Sequence, residues 1–247
     1  MRPLFERARE NLRNRRVLAV MAGKGGVGKS VIAAFLAIVK KAPLIDLDLF
    51  GMAAPKLFGV AGRLHEVGKE GIEPIEVGGV KIFSVGGIVG DRYVVLPGAS
   101  QGGVVEALLA FAKLGNAREV VIDMPPGMGE ELLSLHRITD FAPIVVTTPS
   151  AASYKVVKHL VDYLLELGKR PVAVVMNMAY VRCNGAVIYP FGRGNEVKKL
   201  ADTHRIPLIE VPIDPQLEEY IGQIYRYRGP VYEVVQRFSL ESNYAAF

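Results

Sequence analysis

The chain has 247 residues, half of them apolar, a net charge of +5 and a single cysteine, Cys183. That length suits one large α/β domain, and the apolar content is ample for a core covered on both faces. One cysteine excludes an intramolecular disulfide or a multi-thiolate metal site built from one chain, and the longest unbroken apolar run, Val31 to Val39, is far short of the roughly 18 residues a membrane span needs.

The first sixteen residues, MRPLFERARENLRNRR, hold six arginines interleaved with Glu6 and Glu10, while Leu4, Ala8 and Leu12 recur at helical spacing. This predicts a short basic helix over 1–15, solvated on one side and packed on the domain, rather than a membrane or nucleic-acid arm. The six apolar or small residues that follow are too few for a secretory signal and no cleavage site follows them, so a cytoplasmic location is expected.

A strand predicted over 16–22 then runs into Gly23-Lys24-Gly25-Gly26-Val27-Gly28-Lys29-Ser30 and a helix over 28–40. The loop fits G-x-x-x-x-G-K-[ST], in which backbone N–H groups curl around a phosphate and feed into a helix N-terminus. Gly23, Gly25, Gly26, Val27 and Gly28 supply the cradle, because only small or glycine residues allow the turn and the close approach. Lys29 is expected to reach the β- and γ-phosphates, and the Ser30 hydroxyl to ligate Mg²⁺. The strand–loop–helix setting separates this from an ordinary glycine-rich turn. Lys24 is a second cation that phosphate binding alone does not require.

Further along, a strand over 42–46 ends at Asp46, with Asp48 two residues on; both face the ligand crevice if the strand persists through them. Residues 71–87 alternate around Gly78-Gly79 and predict a β-hairpin. After a helix over 100–114, a strand over 119–124 ends at Asp123, which fits the acid that holds Mg²⁺. Pro125-Pro126-Gly127 then predicts a stiff turn with a free N–H at Gly127, suited to sensing a γ-phosphate. Any one of these aspartates alone could also serve as a cap or loop acid; three at strand ends beside a phosphate loop point to metal. Strands over 142–148, 171–177 and 206–212 alternate with helices over 129–137, 151–167, 195–203, 214–222 and 230–240. Residues 180–195, rich in glycine and turn formers, read as an excursion loop. With no repeat, low-complexity tract or linker, the expectation is a single domain, 1–247. Its fold class is α/β: a doubly wound, mainly parallel sheet with helices on both faces.

The pattern K-G-G-x-G-K-[ST], from Lys24 to Ser30, resembles the deviant Walker-A motif of the MinD/ParA/Mrp group of P-loop ATPases. Within that group the likeness is to the Mrp/ApbC branch, which carries iron–sulfur clusters. DLDLFGMAAPKLFGV resembles its D-x-D-x-x-G segment, VVIDMPPGMGEELLSL its I-D-x-P-P-G-x-G-[DE] segment and VVTTPSAASYKVVKHLVDYL its V-T-T-P strand and helix. VVMNMAYVRCNGAVIYPFGRGN and RIPLIEVPIDPQL parallel its last two strands, so the likeness runs from about residue 15 to 220. It implies an Mg²⁺-dependent ATPase acting as a homodimer that sandwiches ATP, with Lys24 reaching the partner's phosphates. It also implies that Asp48 orients the attacking water, that Asp46 sits near the Mg²⁺ shell, that Asn177 reads the adenine edge and that Pro212 and Asp214 lie near the base. Asp214 before Pro215 reads equally as a helix N-cap, and Asn177 as a turn former.

One departure concerns the cargo. The branch has C-x-x-C where this chain has Cys183-Asn184-Gly185-Ala186. A bridging 4Fe–4S cluster needs four thiolates and a dimer of this chain offers two. His65, His136, His159 and His204 are not near Cys183 in sequence, and a lone cysteine is more often a small packed residue than a ligand. The resemblance therefore implies a nucleotide-dependent switch in iron–sulfur cluster carriage or assembly, acting on an iron–sulfur client or another protein cargo. The alternative is a ParA/MinD-like ATPase positioned at DNA or membrane; its support is the basic N-terminus and the apolar set Val231, Val234, Val235 and Phe238, which also read as core. An ATP-dependent ligase on the same fold ranks last, since nothing marks an acceptor substrate.

Overall fold

Short β-rich apolar runs alternating with amphipathic segments give a three-layer α/β arrangement in the computed structural model, which describes residues 2–48, 51–89 and 101–241. Helix α1 (Arg2–Leu12) precedes strand β1 (Arg16–Met21), α2 (Lys29–Lys40), β2 (Leu44–Asp46) and α3 (Ala53–Leu57). Two antiparallel pairs follow, β3 (Val67–Gly68) with β4 (Gly71–Ile72) and β5 (Ile75–Val77) with β6 (Val80–Ser84). Next come α4 (Gly86–Val89), α5 (Gln101–Phe111), β7 (Glu119–Asp123), α6 (Glu130–Ile138), β8 (Ala142–Thr147), α7 (Ala151–Glu166) and β9 (Ala173–Met176). The hairpin β10 (Val181–Cys183) and β11 (Ala186–Ile188) leads to α8 (Asn195–Thr203), β12 (Leu208–Glu210), two 3₁₀ turns and α9 (Pro230–Glu241).

The main sheet runs β12-β9-β8-β1-β7-β2-β6-β5, parallel throughout except for the edge pair β5–β6. Its interior strands, from β9 to β6, are buried on both faces, as near-continuous apolar runs predict, while the edge strands β12 and β5 are partly exposed. In β1, Val17, Ala19 and Met21 enter one core and Leu18 and Val20 the other. Helices α2, α3 and α9 cover the second face and α1, α5, α6, α7 and α8 the first. Parallel strands bring their carboxyl ends to one edge, so the ends of β1, β7 and β2 lie side by side there.

Helix α1 packs on the domain as expected. Ala8 and Leu12 are buried, while Arg7 and Asn11, four residues apart, point at the end of α5 and Arg15 at the turn that follows it. The Asn11 amide donates to the Leu109 and Ala112 carbonyls at 2.8 and 2.9 Å, and Arg7 donates to the Ala110 carbonyl and lies over the Phe111 ring. These are the carbonyls that a helix leaves unsatisfied at its own C-terminus. Val231 and Val235 of α9 are likewise buried, with Val234 and Phe238 packed beside them.

Three expectations need correction. The predicted helix over 214–222 is a 3₁₀ turn, Pro215–Tyr220, cut short where Ile221 is extended and Gly222 takes φ +90°. The predicted loop over 180–195 contains an ordered hairpin. Asn184 and Gly185 both have positive φ there, at 48° and 79°, the conformation a two-residue hairpin turn demands. Finally, β2 stops at Asp46, so Asp46 and Asp48 do not share one strand. The expected hairpin around Gly78-Gly79 is present and adds β6 to the main sheet beside β2. Residue 100 of the predicted 100–114 helix, and Leu49 and Phe50 of the DLDLFG segment, lie outside the described residues.

Candidate functional site

The glycine loop closes between β1 and α2 at the carboxyl edge. Gly26 and Gly28 adopt φ +77° and +82°, values that favour glycine. Gly28 also has no room for a side chain, since a Cβ would stand 2.2 Å from Asn177 Nδ2, and a Cβ on Gly23 would stand 2.6 Å from Val156 of α7. A Cβ on Gly25, Gly26 or Gly127 would meet nothing, so the loop is braced from behind and open in front. Helix α2 starts at Lys29 with no side-chain cap. Its first N–H groups and the positive end of its dipole are left for an anion.

The two lysines differ. Lys29 is buried and ion-paired with Asp123 Oδ1, and its ammonium lies 3.4 Å from Ser30 Oγ. Lys24 is half-buried and has no hydrogen bond or ion pair among the described residues.

Asp46 and Asp123 are register partners on adjacent strands and both are buried. Burial, then the neighbouring Asp123 charge, push the Asp46 carboxyl up to about 7, against the Ala54 N–H, Lys29 and the Asp48 N–H. Burial also raises Asp123, opposed by the Lys29 charge and hydrogen bond and by the Ser30 hydroxyl. Asp123 Oδ2 is buried without a hydrogen-bond partner. Asp46 accepts the N–H groups of Asp48 and Ala54, each at 3.0 Å. It thereby ties the turn after β2 to the start of α3. Asp48 Oδ1 accepts the Gly51 N–H at 2.8 Å within that turn.

Gly127 corrects an expectation. Its φ is +100°, but its N–H donates to the Ala22 carbonyl at 2.8 Å and is not free. The Pro-Pro turn leaves β7 beside the end of β1 and lays Gly127 on that strand's continuation. Asn177, at the end of β9, donates its amide to the Val27 carbonyl at 2.9 Å and so pins the phosphate loop. Pro212 and Asp214 line a cavity of about 280 Å³ together with Tyr180, Val181, Arg182 and Pro230. Asp214 caps the 3₁₀ turn through the Gln216 N–H and accepts the Tyr227 hydroxyl at 2.6 Å. The cap reading of Asp214 therefore holds. Val156 and Tyr227 were not legible as site residues, because the loop and the aspartate they brace are distant in sequence.

Cys183 is exposed on β10, directly across from Ala186 on β11. Among the described residues no three His, Cys, Asp or Glu side chains gather into a ready metal cluster. No helix among the described residues is long and apolar enough to cross a membrane.

Comparison with known proteins agrees with this geometry. The family described as ParA, NUBPL iron-transfer P-loop NTPase, matches residues 13–229. The chain is 34% identical over 218 residues to an iron-sulfur cluster carrier protein of Saccharolobus solfataricus, covering 82% of this chain and 72% of that one. It is 34% identical to an Aquifex aeolicus protein of the same name, covering 82% of this chain but only 59% of the relative. The nucleotide-binding protein of Archaeoglobus fulgidus in complex with ADP superposes with a TM-score of 0.77 at 28% identity, over 93% of this chain and 96% of that one. A family match across most of the chain, on a sheet that presents an uncapped helix to an anion, places it: the chain belongs to the NUBPL iron-transfer P-loop NTPase family, ParA.

Proposed function

We propose that the chain binds ATP with Mg²⁺, hydrolyses it, and works as a nucleotide-dependent homodimeric switch in cytoplasmic iron–sulfur cluster carriage. The observation that carries the nucleotide part is the unequal state of the two lysines. Lys29 has a counter-charge in its own chain; Lys24, half out of water, has none among the described residues. A partly desolvated cation without a partner favours an incoming anion.

The donor set fits a hard divalent cation: the orphaned Asp123 Oδ2 and the Ser30 hydroxyl supply oxygen, with water and phosphate completing the shell. When bound, Mg²⁺ neutralises charge developing on the transferring phosphoryl group. The chain's residues do the rest. The uncapped N–H groups of α2 hold the phosphates, and Lys29 turns from Asp123 to the β- and γ-phosphate oxygens. Asp46 fixes the turn from which Asp48 orients the attacking water, and Lys24 contacts the phosphates bound by the second protomer. Lys29→Ala is expected to abolish nucleotide binding. Lys24→Ala is expected to keep binding but lose hydrolysis and ATP-driven dimerisation, read by ATPase rate and size-exclusion chromatography. A wild-type rate in Lys24→Ala would sink the cross-subunit role.

The similarity to iron–sulfur cluster carrier proteins supports iron–sulfur carriage. Two chains supply two thiolates through Cys183, and a 4Fe–4S cluster needs four, so the client or another donor completes the site. Anaerobic reconstitution with iron and sulfide tests this. About four irons per dimer, lost in Cys183→Ala, are expected; a chain that takes up no iron would carry some other protein cargo. The rival role at DNA or membrane keeps less sequence support, because Arg7 and Arg15 of the basic N-terminal segment and the apolar residues of α9 are engaged in internal packing.

A further inference from the structure

The amino-terminal edge of the sheet, opposite the phosphate loop, holds a cleft of about 700 Å³ between α1 and the connection from α6 to β8. Arginines dominate its walls, and their partners decide what it can do. Arg13 pairs with Glu10 at 3.4 Å, and Lys169 pairs with Asp140. The other three arginines have no counter-charge among the described residues. Arg15 gives its N–H groups to the carbonyls of Asn11, Gly115 and Ala117, all neutral. Among the described residues Arg137 donates only to the Ser134 hydroxyl, at 3.3 Å, and Arg9 has no hydrogen bond or ion pair. Against these three stands one unpaired acid on the walls, the exposed Glu6.

We propose that this cleft docks an acidic segment of a partner protein, whose carboxylates pair with Arg9, Arg15 and Arg137. The guanidinium fork matches a carboxylate in a bidentate way. Arg15 is held in place by neutral acceptors, so it needs little ordering on binding. Burial already presses the Arg15 guanidinium below its usual range, and an arriving anion would relieve that strain on its charge. Glu6 and the ion pairs of Glu10 and Asp140 interrupt the basic surface, so its free cations do not form the continuous track that a nucleic-acid backbone follows, and a concave wall does not suit a flat bilayer. Spaced carboxylates on a polypeptide avoid both conflicts. This docking is independent of the nucleotide reading, because the two sites lie on opposite edges of the sheet. Helix α6 joins them: Glu130 begins it just after the Pro-Pro-Gly turn, and Arg137 lies in its last turn.

The test uses the full chain and a short fluorescein-labelled peptide of alternating glutamate and serine, read by fluorescence anisotropy. Arg9→Glu combined with Arg137→Glu is expected to weaken binding by about tenfold or more. Lys199→Glu combined with Arg205→Glu makes the same charge change on the exposed α8 side and is expected to leave binding within about twofold. Both arginines of the cleft pair are exposed, and retained ATP binding with an unchanged circular dichroism spectrum certifies folding; Arg9→Gln with Arg137→Gln serves as a gentler pair. Equal loss in both variants would reduce the effect to overall charge and overturn the proposal. So would failure of the wild type to bind the peptide. Tighter cleft-dependent binding of an equally charged oligonucleotide or of anionic phospholipid vesicles would overturn the choice of a protein partner.

Discussion

At the scale of single residues, His65 carries a pH signature of its own. It is buried, stacked on Phe83, with Nε2 accepting the Ser84 N–H at 3.1 Å and Nδ1 donating to the Glu73 carbonyl at 2.8 Å. Burial pushes its pKa below the usual imidazole value, against the pull of the Glu73 carbonyl. In the unfolded chain the ring protonates near pH 6.5, while in the fold it stays neutral to lower pH, so unfolding takes up a proton in that window. The contribution to stability is complete above about pH 6.5 and is lost as pH falls, with a slope of at most about 1.4 kcal/mol per pH unit. Urea titrations from about pH 7 to about pH 5 are expected to show a steeper loss in wild type than in His65→Gln; parallel losses would reject the assignment. Residue chemistry was legible where a local motif dictates it, as for Lys29, Ser30 and Asp123. It was illegible where the partner is remote: nothing near Gly127 in sequence reveals that the Ala22 carbonyl occupies its N–H, and nothing near Asn177 reveals that its amide holds Val27.

At the scale of elements, the contact of α1 with α5 shows what periodicity conveys and what it hides. The apolar spacing of Leu4, Ala8 and Leu12 announced a packed helix. Arg7 and Asn11 fall off that apolar stripe, yet they donate to the carbonyls that end α5, and Arg15 donates to the Gly115 and Ala117 carbonyls of the turn after it. Asn11→Ala would leave the part-buried Leu109 and Ala112 carbonyls without this donor, an expected cost of about 1–3 kcal/mol. Thermal unfolding is expected to fall by a few degrees, roughly 2–4 °C per kcal/mol in a chain of this size, with ATP binding unchanged. An unaltered melting temperature would mean that water replaces the amide without penalty. The 180–195 hairpin was legible in principle, since Asn184-Gly185 between two short β-prone runs is a strong turn signal. The surrounding glycines and prolines obscured it. The 3₁₀ turn at 215–220 was harder, because Asp-Pro opens an α-helix and a 3₁₀ turn alike and only Gly222 downstream marks the stop.

At the scale of the whole molecule, the class of fold follows from composition along the chain: strands apolar on every residue need cover on both faces, and helices stand ready between them. The order of the strands does not follow, since each parallel pairing is made through a crossover whose destination local residues do not encode. That order has a consequence for how the chain is made. β1 pairs only with β7 and β8, about a hundred or more residues downstream, and its glycine loop is braced by Val156 and Asn177. Such non-local pairing makes folding slow, and synthesis proceeds from the N-terminus. On the ribosome, β1 therefore emerges with both hydrogen-bonding edges open and stays so until residues 119–147 follow. The phosphate loop cannot take its final shape until Asn177 has been added, so nucleotide can stabilise the chain only once β9 is made and offers the strands before it no protection from misassociation.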